Sequence, residues 1–135
     1  ARIFFTVGSL DYLQMGGRIG KVATAATGKL GVKPVIVMKD GDIGLGGIGR
    51  NRNKLKNSVL QVAKKYLDEN GKDNFIVSVG YGYDKEEGFE FMKEVESTLD
   101  VKLDSETNVA IGIVSAVHTG PYPIGLGVIR KYETL

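Results

Sequence analysis

Few residues in this sequence could bind a metal, attack a substrate or move a proton. The 135-residue chain has one histidine, His118, and no cysteine. The lack of cysteine excludes a disulfide framework, a thiolate metal site and a cysteine nucleophile, and one histidine excludes a histidine-rich metal site. The sequence contains no HExxH, GxSxG or P-loop motif, and nothing marks a serine partner for His118. We therefore expect a binding protein without metal or cofactor, and no enzymatic activity in this chain.

A glycine run at residues 44–49 is the motif most similar to a phosphate-binding loop. Its letters, GLGGIG, fit the GxGxxG pattern, in which amides at a helix N-terminus hold a pyrophosphate. However, the turn signal Asp40-Gly41 makes the preceding segment one arm of a hairpin instead of a central parallel strand. The acidic residues about 20 positions on, Asp68 and Glu69, fall within a predicted helix instead of at a strand end. We interpret the run as a strand-to-helix loop and keep nucleotide binding through it as an alternative.

Four basic residues follow the glycine run at the start of a predicted helix. They are Arg50, Arg52, Lys54 and Lys56. Such a run most often forms a solvated helix face, but it can also meet a phosphate or an acidic partner surface. A protein interaction domain is therefore the second alternative. The net charge of +2 is too small to indicate nucleic-acid binding by itself.

Strand and helix patterns are mixed along the chain. Strands are predicted at 2–7, 75–79, 101–104 and 126–132, with a hairpin over 33–47. Helices are predicted at 10–15, 19–30, 51–69 and 85–99, whereas 109–117 fits a helix or a strand. We expect a single domain over residues 1–135. Its fold class is a two-layer α/β sandwich, a mixed and largely antiparallel sheet with helices packed on it.

The sequence also indicates where the protein works. The longest apolar runs fall far short of the roughly 20 residues that span a bilayer. The N-terminal segment is too short for a signal peptide. Because the absence of cysteine also fits a reducing compartment, we expect a cytoplasmic protein.

Two short motifs, with the segments between them, resemble the DegV family of bacterial fatty-acid-binding proteins. They are GSLDYLQMGGRI at residues 8–19 and HTGP at residues 118–121. Between them lie a GVKPVIV segment at 31–37 and a DGDI turn at 40–43. The family pattern has L-x-Y-L-x-x-G-G-R-I, a K-P strand, G-x-I, a basic helix and H-T-G-P-G in this order. The resemblance implies the α/β fold of the family's C-terminal domain.

The chain departs from the family pattern in two ways. Members of the family are much longer, and their first half is a separate α/β domain whose Ser and Thr residues help to hold the ligand carboxylate. The resemblance therefore covers only the C-terminal half, and we expect the N-terminal domain to be missing from this chain. In addition, Tyr122 and Pro123 stand where the family has the second glycine of its H-T-G-P-G motif.

The resemblance implies a long-chain fatty acid as ligand. It is held between the two domains and presented to a separate fatty acid kinase catalytic subunit, which forms the acyl phosphate. The implied carboxylate-binding residues are Gly17, Arg18, His118, Thr119 and Gly120, and a guanidinium suits that role because it is planar and permanently charged. The candidate acyl-chain residues are Leu10, Leu13, Ile19, Val22, Ala23, Ala26, Ile113 and Val117. The candidate kinase-facing residues are Arg50, Arg52, Lys54 and Lys56.

The absent domain also predicts an exposed apolar surface. We expect it around residues 10–26 and 117–124, where the other half would dock. Such a surface favours self-association of the isolated domain. It also leaves open a transient contact with a membrane surface, although we expect no transmembrane segment and no nucleic-acid partner.

Overall fold

The computed structural model describes residues 1–23, 33–103 and 108–134. Its fold is built on one mixed β-sheet. Within these ranges the sheet has six strands: β1 (Arg2–Thr6), β2 (Lys33–Lys39), β3 (Asp42–Gly49), β4 (Phe75–Tyr81), β5 (Val109–Ala110) and β6 (Ile124–Arg130). Their order across the sheet is β3-β2-β1-β6-β4-β5. Neighbours are antiparallel, except that β5 pairs with β4 in parallel. The predicted fold class is confirmed.

Four helices lie within the described ranges: α1 (Asp11–Met15), α2 (Arg52–Asn70), α3 (Lys85–Leu99) and α4 (Ile113–Thr119). Side-chain oxygens cap the two long helices, because Asn51 accepts a hydrogen bond from the Lys54 amide and Asp84 accepts one from the Glu87 amide. Single 3₁₀ turns occupy Gly20–Val22, Lys72–Asn74 and Tyr132–Thr134. Both long helices thus begin with a side-chain cap.

Helices α2 and α3 cover one face of the sheet and form the main core with it. The buried side chains on α2 include Leu55, Val59, Ala63 and Leu67, and those on α3 include Phe91, Val95 and Leu99. They recur every three or four residues, so each helix presents one apolar stripe to the strands. Among the strand residues in this core are Phe4, Val77, Val79, Leu126 and Val128.

The opposite face of the sheet carries a smaller cluster. Phe5 follows Phe4 on β1 and points the other way, since successive side chains of a strand alternate between faces. The cluster consists of Phe5, Val7, Leu13, Val22 and Ile36. Here α1 and the turn at Gly20–Val22 cover only one part of the sheet face. The remainder of this face is available to form a site.

Several predicted boundaries are wrong. The predicted strand 126–132 begins earlier and is β6, Ile124–Arg130, and residues 101–103 are not a strand. The segment 109–117 divides into the short strand β5 and the helix α4. The glycine run 44–49 lies inside β3 and is not a loop, because its backbone pairs with β2. Most of the predicted helix 19–30 lies outside the described residues. No helix in the described part of the chain is long and apolar enough to cross a membrane.

Candidate ligand-binding site

An apolar groove of about 280 Å³ runs across the less covered face of the sheet. Its floor includes two cross-strand pairs of small residues, Ser78 opposite Gly127 and Gly80 opposite Gly125. Side chains of neighbouring strands normally stand side by side at such positions. Because three of these four residues are glycines, the backbone itself forms the bottom of the groove.

Larger side chains form the walls of the groove. Strands β1 and β2 contribute Ile3, Phe5 and Met38, and the opposite wall is built by Val109, Ile111, Ser115 and Thr119. Beyond the groove, the same face carries the cross-strand pair Ile76 and Ile129, whose residues are 44% and 54% exposed. The arrangement is a narrow apolar channel that continues onto an open apolar surface, which suits a long hydrocarbon chain.

The GGRI and HTGP motifs meet where α1 packs against α4. The His118 ring lies directly on Gly16, and the Tyr12 ring lies directly on Gly120. A Cβ at either glycine would overlap the facing ring, and Gly120 also has a φ of +75° that disfavours other residues. Glycine at these positions therefore permits the contact that brings the two motifs together. The structure thus places Gly17 and Arg18 close to His118, Thr119 and Gly120.

Thr119 is the one polar residue of the two motifs that lines the groove, and Arg18 and His118 do not line it. The Thr119 hydroxyl donates a hydrogen bond to the Gly120 carbonyl oxygen. His118 is half-buried, and its Nδ1 has no hydrogen-bond partner in the described part of the chain. Arg18 is exposed and donates from Nη1 to the carbonyl oxygen of Gly16. An anionic group near these residues would meet a cation and hydrogen-bond donors next to an apolar channel.

The residues predicted to line an acyl chain do not line this groove where the structure describes them, and their role stays a prediction. Leu13 and Val22 are buried in the smaller cluster, and Leu10 and Ile19 pack against it. Ala23 is half-buried, and Ala26 lies outside the described residues. On α4, Ile113 and Val117 point outward, 81% and 61% exposed. None of the seven described residues lines the groove.

The sequence did contain a signal for the groove that composition alone does not reveal. Ser78 and Gly80 are two positions apart, and so are Gly125 and Gly127. Small residues at a spacing of two fall on the same face of a strand. Two such pairs in β4 and β6 indicate a shallow strip where the strands are neighbours.

The basic run is not a uniform solvated face, which corrects the prediction. Arg50 and Lys54 are exposed, but Lys56 is only 8% exposed. Arg52 forms two hydrogen bonds with Glu87 of α3, from Nε to Oε2 at 2.9 Å and from Nη2 to Oε1 at 2.6 Å. Lys56 Nζ lies 3.7 Å from Oε2 of the same carboxylate. Arg52 and Lys56, two of the four basic residues, therefore interact with Glu87 of the same chain.

Acidification is expected to remove the stabilising contribution of Glu87. Its pKa is lowered, chiefly because Arg52 donates hydrogen bonds to the carboxylate and also because both cations are nearby. The contribution is therefore complete above the ordinary value of 4.5 and is lost as the pH falls through the lowered pKa. Urea unfolding should show Glu87→Gln to be about 1.5 kcal/mol less stable than the unsubstituted protein at neutral pH. This difference should shrink below the lowered pKa, and an equal difference at both pH values would contradict the assignment.

The glycine run does not form a nucleotide loop. Its amides belong to β3, which is paired with β2, and α2 begins only after Asn51. A pyrophosphate would need several free amides converging on one point at a helix N-terminus. The alternative interpretation of residues 44–49 is therefore wrong.

The exposed apolar surface predicted around the two motifs is present in part. Met15 on α1 is 76% exposed, and on α4 Ile113 and Val114 are 81% and 80% exposed. Tyr12 and Tyr122 are also exposed at this end of the molecule. Within the predicted ranges Tyr12, Met15, Val117 and Tyr122 are exposed but Leu13, Val22 and Ile124 are buried, so the expected exposure is confirmed only in part. Self-association stays a prediction.

Comparisons with known proteins agree on one family. The model of the DegV family, described as an uncharacterised protein family, matches residues 1–131. A DegV domain-containing protein of Clostridium acetobutylicum is 34% identical over 96% of this chain and 45% of its own length. One of Deinococcus radiodurans is 30% identical over 93% of this chain and 43% of its own.

Solved structures agree with this result. A stearic acid-binding protein from Eubacterium ventriosum is 98% identical, with a TM-score of 0.95 over 99% of this chain and 46% of its own. A fatty-acid-binding DegV family protein from Thermus thermophilus is 26% identical, with a TM-score of 0.79 over 96% of this chain and 45% of its own. The chain spans about half the length of these relatives. Since the family model matches nearly all of its residues, this chain belongs to the DegV family.

Proposed function

We propose that this chain is the C-terminal domain of a protein that binds a long-chain fatty acid, with the acyl chain in the groove. The observation that carries the proposal is the glycine-floored apolar channel that has Thr119 at its wall and the two motifs at its end. Both the stearic acid-binding protein and the Thermus protein are similar to this chain over nearly all of its length, which supports this ligand class.

Burial of the hydrocarbon supplies most of the affinity. About fourteen buried methylenes contribute roughly 11 kcal/mol, at about 0.8 kcal/mol each. Part of this is offset by the entropy lost when the ligand is ordered. Because the bottom of the groove is backbone, a narrow chain can lie close to the sheet and contact both walls at once.

The carboxylate is assigned to the end where α1 meets α4. Arg18 uses one nitrogen for the Gly16 carbonyl, and its guanidinium has further donors that can reach a ligand. In His118 the Nδ1 side packs on Gly16, so Nε2 is the ring atom that contacts the ligand. Thr119 Oγ1 lies beside the channel, and Gly17 has open space around it. Gly120 provides the close approach of α1 that shapes this end.

The half of the protein outside this chain covers the groove. The outward apolar residues of α1 and α4 border the proposed carboxylate end, and a second domain docked there would bury them. That domain would also close the open side of the channel and exclude water from the acyl chain. In this arrangement the ligand lies between two domains, and this chain contributes the channel.

The chain itself does no chemistry in this proposal. It presents the fatty acid, in the cytoplasm, to a separate kinase catalytic subunit that forms the acyl phosphate. The exposed residues Arg50 and Lys54 are the kinase-facing residues that remain from the basic run. Their attraction to an acidic partner should weaken as salt is added, because exposed charges are screened.

Ligand extraction is the direct test of fatty acid binding. The intact protein, purified from a bacterial host under native conditions, is extracted with organic solvent and the extract is analysed by mass spectrometry. We expect about one long-chain fatty acid per protein molecule. If no fatty acid is extracted, and the delipidated protein shows no saturable binding of stearate by calorimetry, the proposed function is wrong.

Removing Arg18 or His118 is expected to weaken binding of the carboxylate selectively. Each of Arg18→Ala and His118→Ala should raise the stearate Kd about tenfold, because an exposed charge-assisted hydrogen bond contributes about 1.5 kcal/mol. Stearyl alcohol has the same acyl chain but no charge, so its Kd should change much less. Titration calorimetry of both ligands measures the difference.

The matched control is Arg50→Ala, which removes an exposed arginine that belongs to neither motif. It should leave both dissociation constants unchanged. If Arg18→Ala weakened the acid and the alcohol equally, the carboxylate would not lie at this residue.

A further inference from the structure

The loop of residues 121–123 joins the two parts of the proposed site. It follows Gly120, the residue after the α4 end that carries His118 and Thr119, and it enters β6 at Ile124, next to Gly125. His118 and Thr119 lie at the proposed carboxylate end, and Gly125 lies in the groove floor. The position of this loop therefore determines how the carboxylate end is aligned with the acyl channel.

Neighbouring segments hold this loop from two sides. The Tyr83 amide donates a hydrogen bond to the Pro121 carbonyl oxygen at 2.8 Å. Gly82 lies so close to the loop that a Cβ there would overlap the Pro121 carbonyl oxygen. On another side, the Tyr122 side chain packs on Gly8, two residues after the end of β1. These contacts come from the segments that follow β4 and β1.

Arg52 supplies a further attachment, from the helix layer. Its Nη2 donates a 2.8 Å hydrogen bond to the Tyr122 carbonyl oxygen. The same guanidinium is held by two hydrogen bonds to Glu87, whose carboxylate also lies near Lys56. Its remaining nitrogen, Nη1, is buried and has no partner among the described residues. Arg52 is thus oriented for Glu87 and the loop, while its Nη1 nitrogen forms no hydrogen bond within the described residues.

We propose that Arg52 is a positioning residue for the ligand site, fixing the 121–123 loop through the Tyr122 carbonyl while Glu87 fixes Arg52. Through this loop the helix layer on one face of the sheet holds the carboxylate end on the other face. This inference rests on the proposed function and adds to it a residue that does not touch the ligand. The planar fork of arginine is required, since a lysine ammonium cannot bond both Glu87 oxygens and the loop in the same geometry.

The test compares Arg52→Lys with the unsubstituted protein in the intact, delipidated form. This variant retains the positive charge but loses the fork. Both stearate and stearyl alcohol are titrated at a temperature well below the unfolding midpoints. A general loosening of the fold would weaken both ligands equally and cancel in the ratio of their dissociation constants. A misplaced carboxylate end should lower the preference for the acid about fivefold and speed stearate release by a similar factor.

Two further variants make the result decisive. Glu87→Gln removes the charge that orients Arg52 and should lower the acid preference in the same direction, and it serves if Arg52→Lys does not fold. Lys64→Met removes another ion pair of α2, the one between Lys64 and Asp68. This pair is exposed and lies far from the loop in sequence. It should leave the acid preference unchanged.

The outcomes separate the two proposals. If the unsubstituted protein binds stearate and both Arg52→Lys and Glu87→Gln keep its acid preference and release rate, the positioning role is wrong and the proposed function stands. Equal weakening of both ligands would also overturn the positioning role. If the unsubstituted protein binds neither ligand, the proposed function fails, and the positioning role fails with it.

Discussion

Gly127→Val is expected to weaken stearate binding roughly 60-fold and to leave the fold intact. A Cβ at Gly127 would lie 3.8 Å from the Arg2 carbonyl oxygen and 4.0 Å from Ile3 Cγ1, so a side chain fits without displacing the protein. It would instead occupy the bottom of the groove. Excluding about three methylenes of the ligand from burial costs about 2.4 kcal/mol. That corresponds to roughly 60-fold in Kd, which titration calorimetry with stearate measures.

The control for this experiment is Gly44→Val on β3. Gly44 is also a strand glycine with space for a Cβ, since its nearest contact would be the Val37 carbonyl oxygen at 3.8 Å. It does not line the groove, so its Kd for stearate should match that of the unsubstituted protein. If Gly127→Val bound stearate normally while folded, the acyl chain would not lie in this groove.

Gly125→Ala is expected to destabilise the fold by about 3 kcal/mol, at the upper end for an added group in a well-packed region. A Cβ at Gly125 would overlap the Phe4 carbonyl oxygen and lie 2.5 Å from Phe5 Cβ. Strands β1 and β6 are central neighbours, so they would have to separate at this pair. Urea unfolding of the intact protein, followed by circular dichroism, measures the loss.

Gly127→Ala is the matched control, two residues along the same strand and with room for its methyl group. Its free energy of unfolding should stay within about 0.5 kcal/mol of the unsubstituted protein, as for substitutions that create no clash. A Gly125→Ala protein that unfolded at the same urea concentration as this control would show that β1 and β6 can move apart freely.

Local signals predicted the main elements correctly. Asp40-Gly41 marked the hairpin, and the apolar periodicity of residues 51–69 and 85–99 marked the two long helices. Each of these signals acts within a few residues of itself, which is why sequence alone reveals it. The GGRI and HTGP motifs were expected to lie together, and the structure brings them into contact, whereas the carboxylate site assigned to them stays a prediction.

Features that depend on contacts between residues far apart in the sequence were not predicted. Arg52 and Lys56 were expected to face solvent, but Glu87, more than thirty residues later in the chain, folds onto them. The local sequence of the glycine run 44–49 fits a loop as well as a strand, and it is the pairing with β2 that makes it a strand. The groove floor requires the register of β4 with β6, since neither pair of small residues makes a groove by itself.

The glycine floor has an evolutionary consequence. A groove whose depth comes from missing side chains is already as deep as the backbone allows, so a mutation at Gly127 can only fill it. In the proposed function, each carbon added there would slightly shorten the range of acyl chains that the groove accepts, which gives selection a graded route to narrower specificity. Widening the range is harder, because glycine also weakens a strand and further glycines would erode the sheet. Divergence among descendants of such a protein is therefore biased towards shorter or more tightly selected ligands.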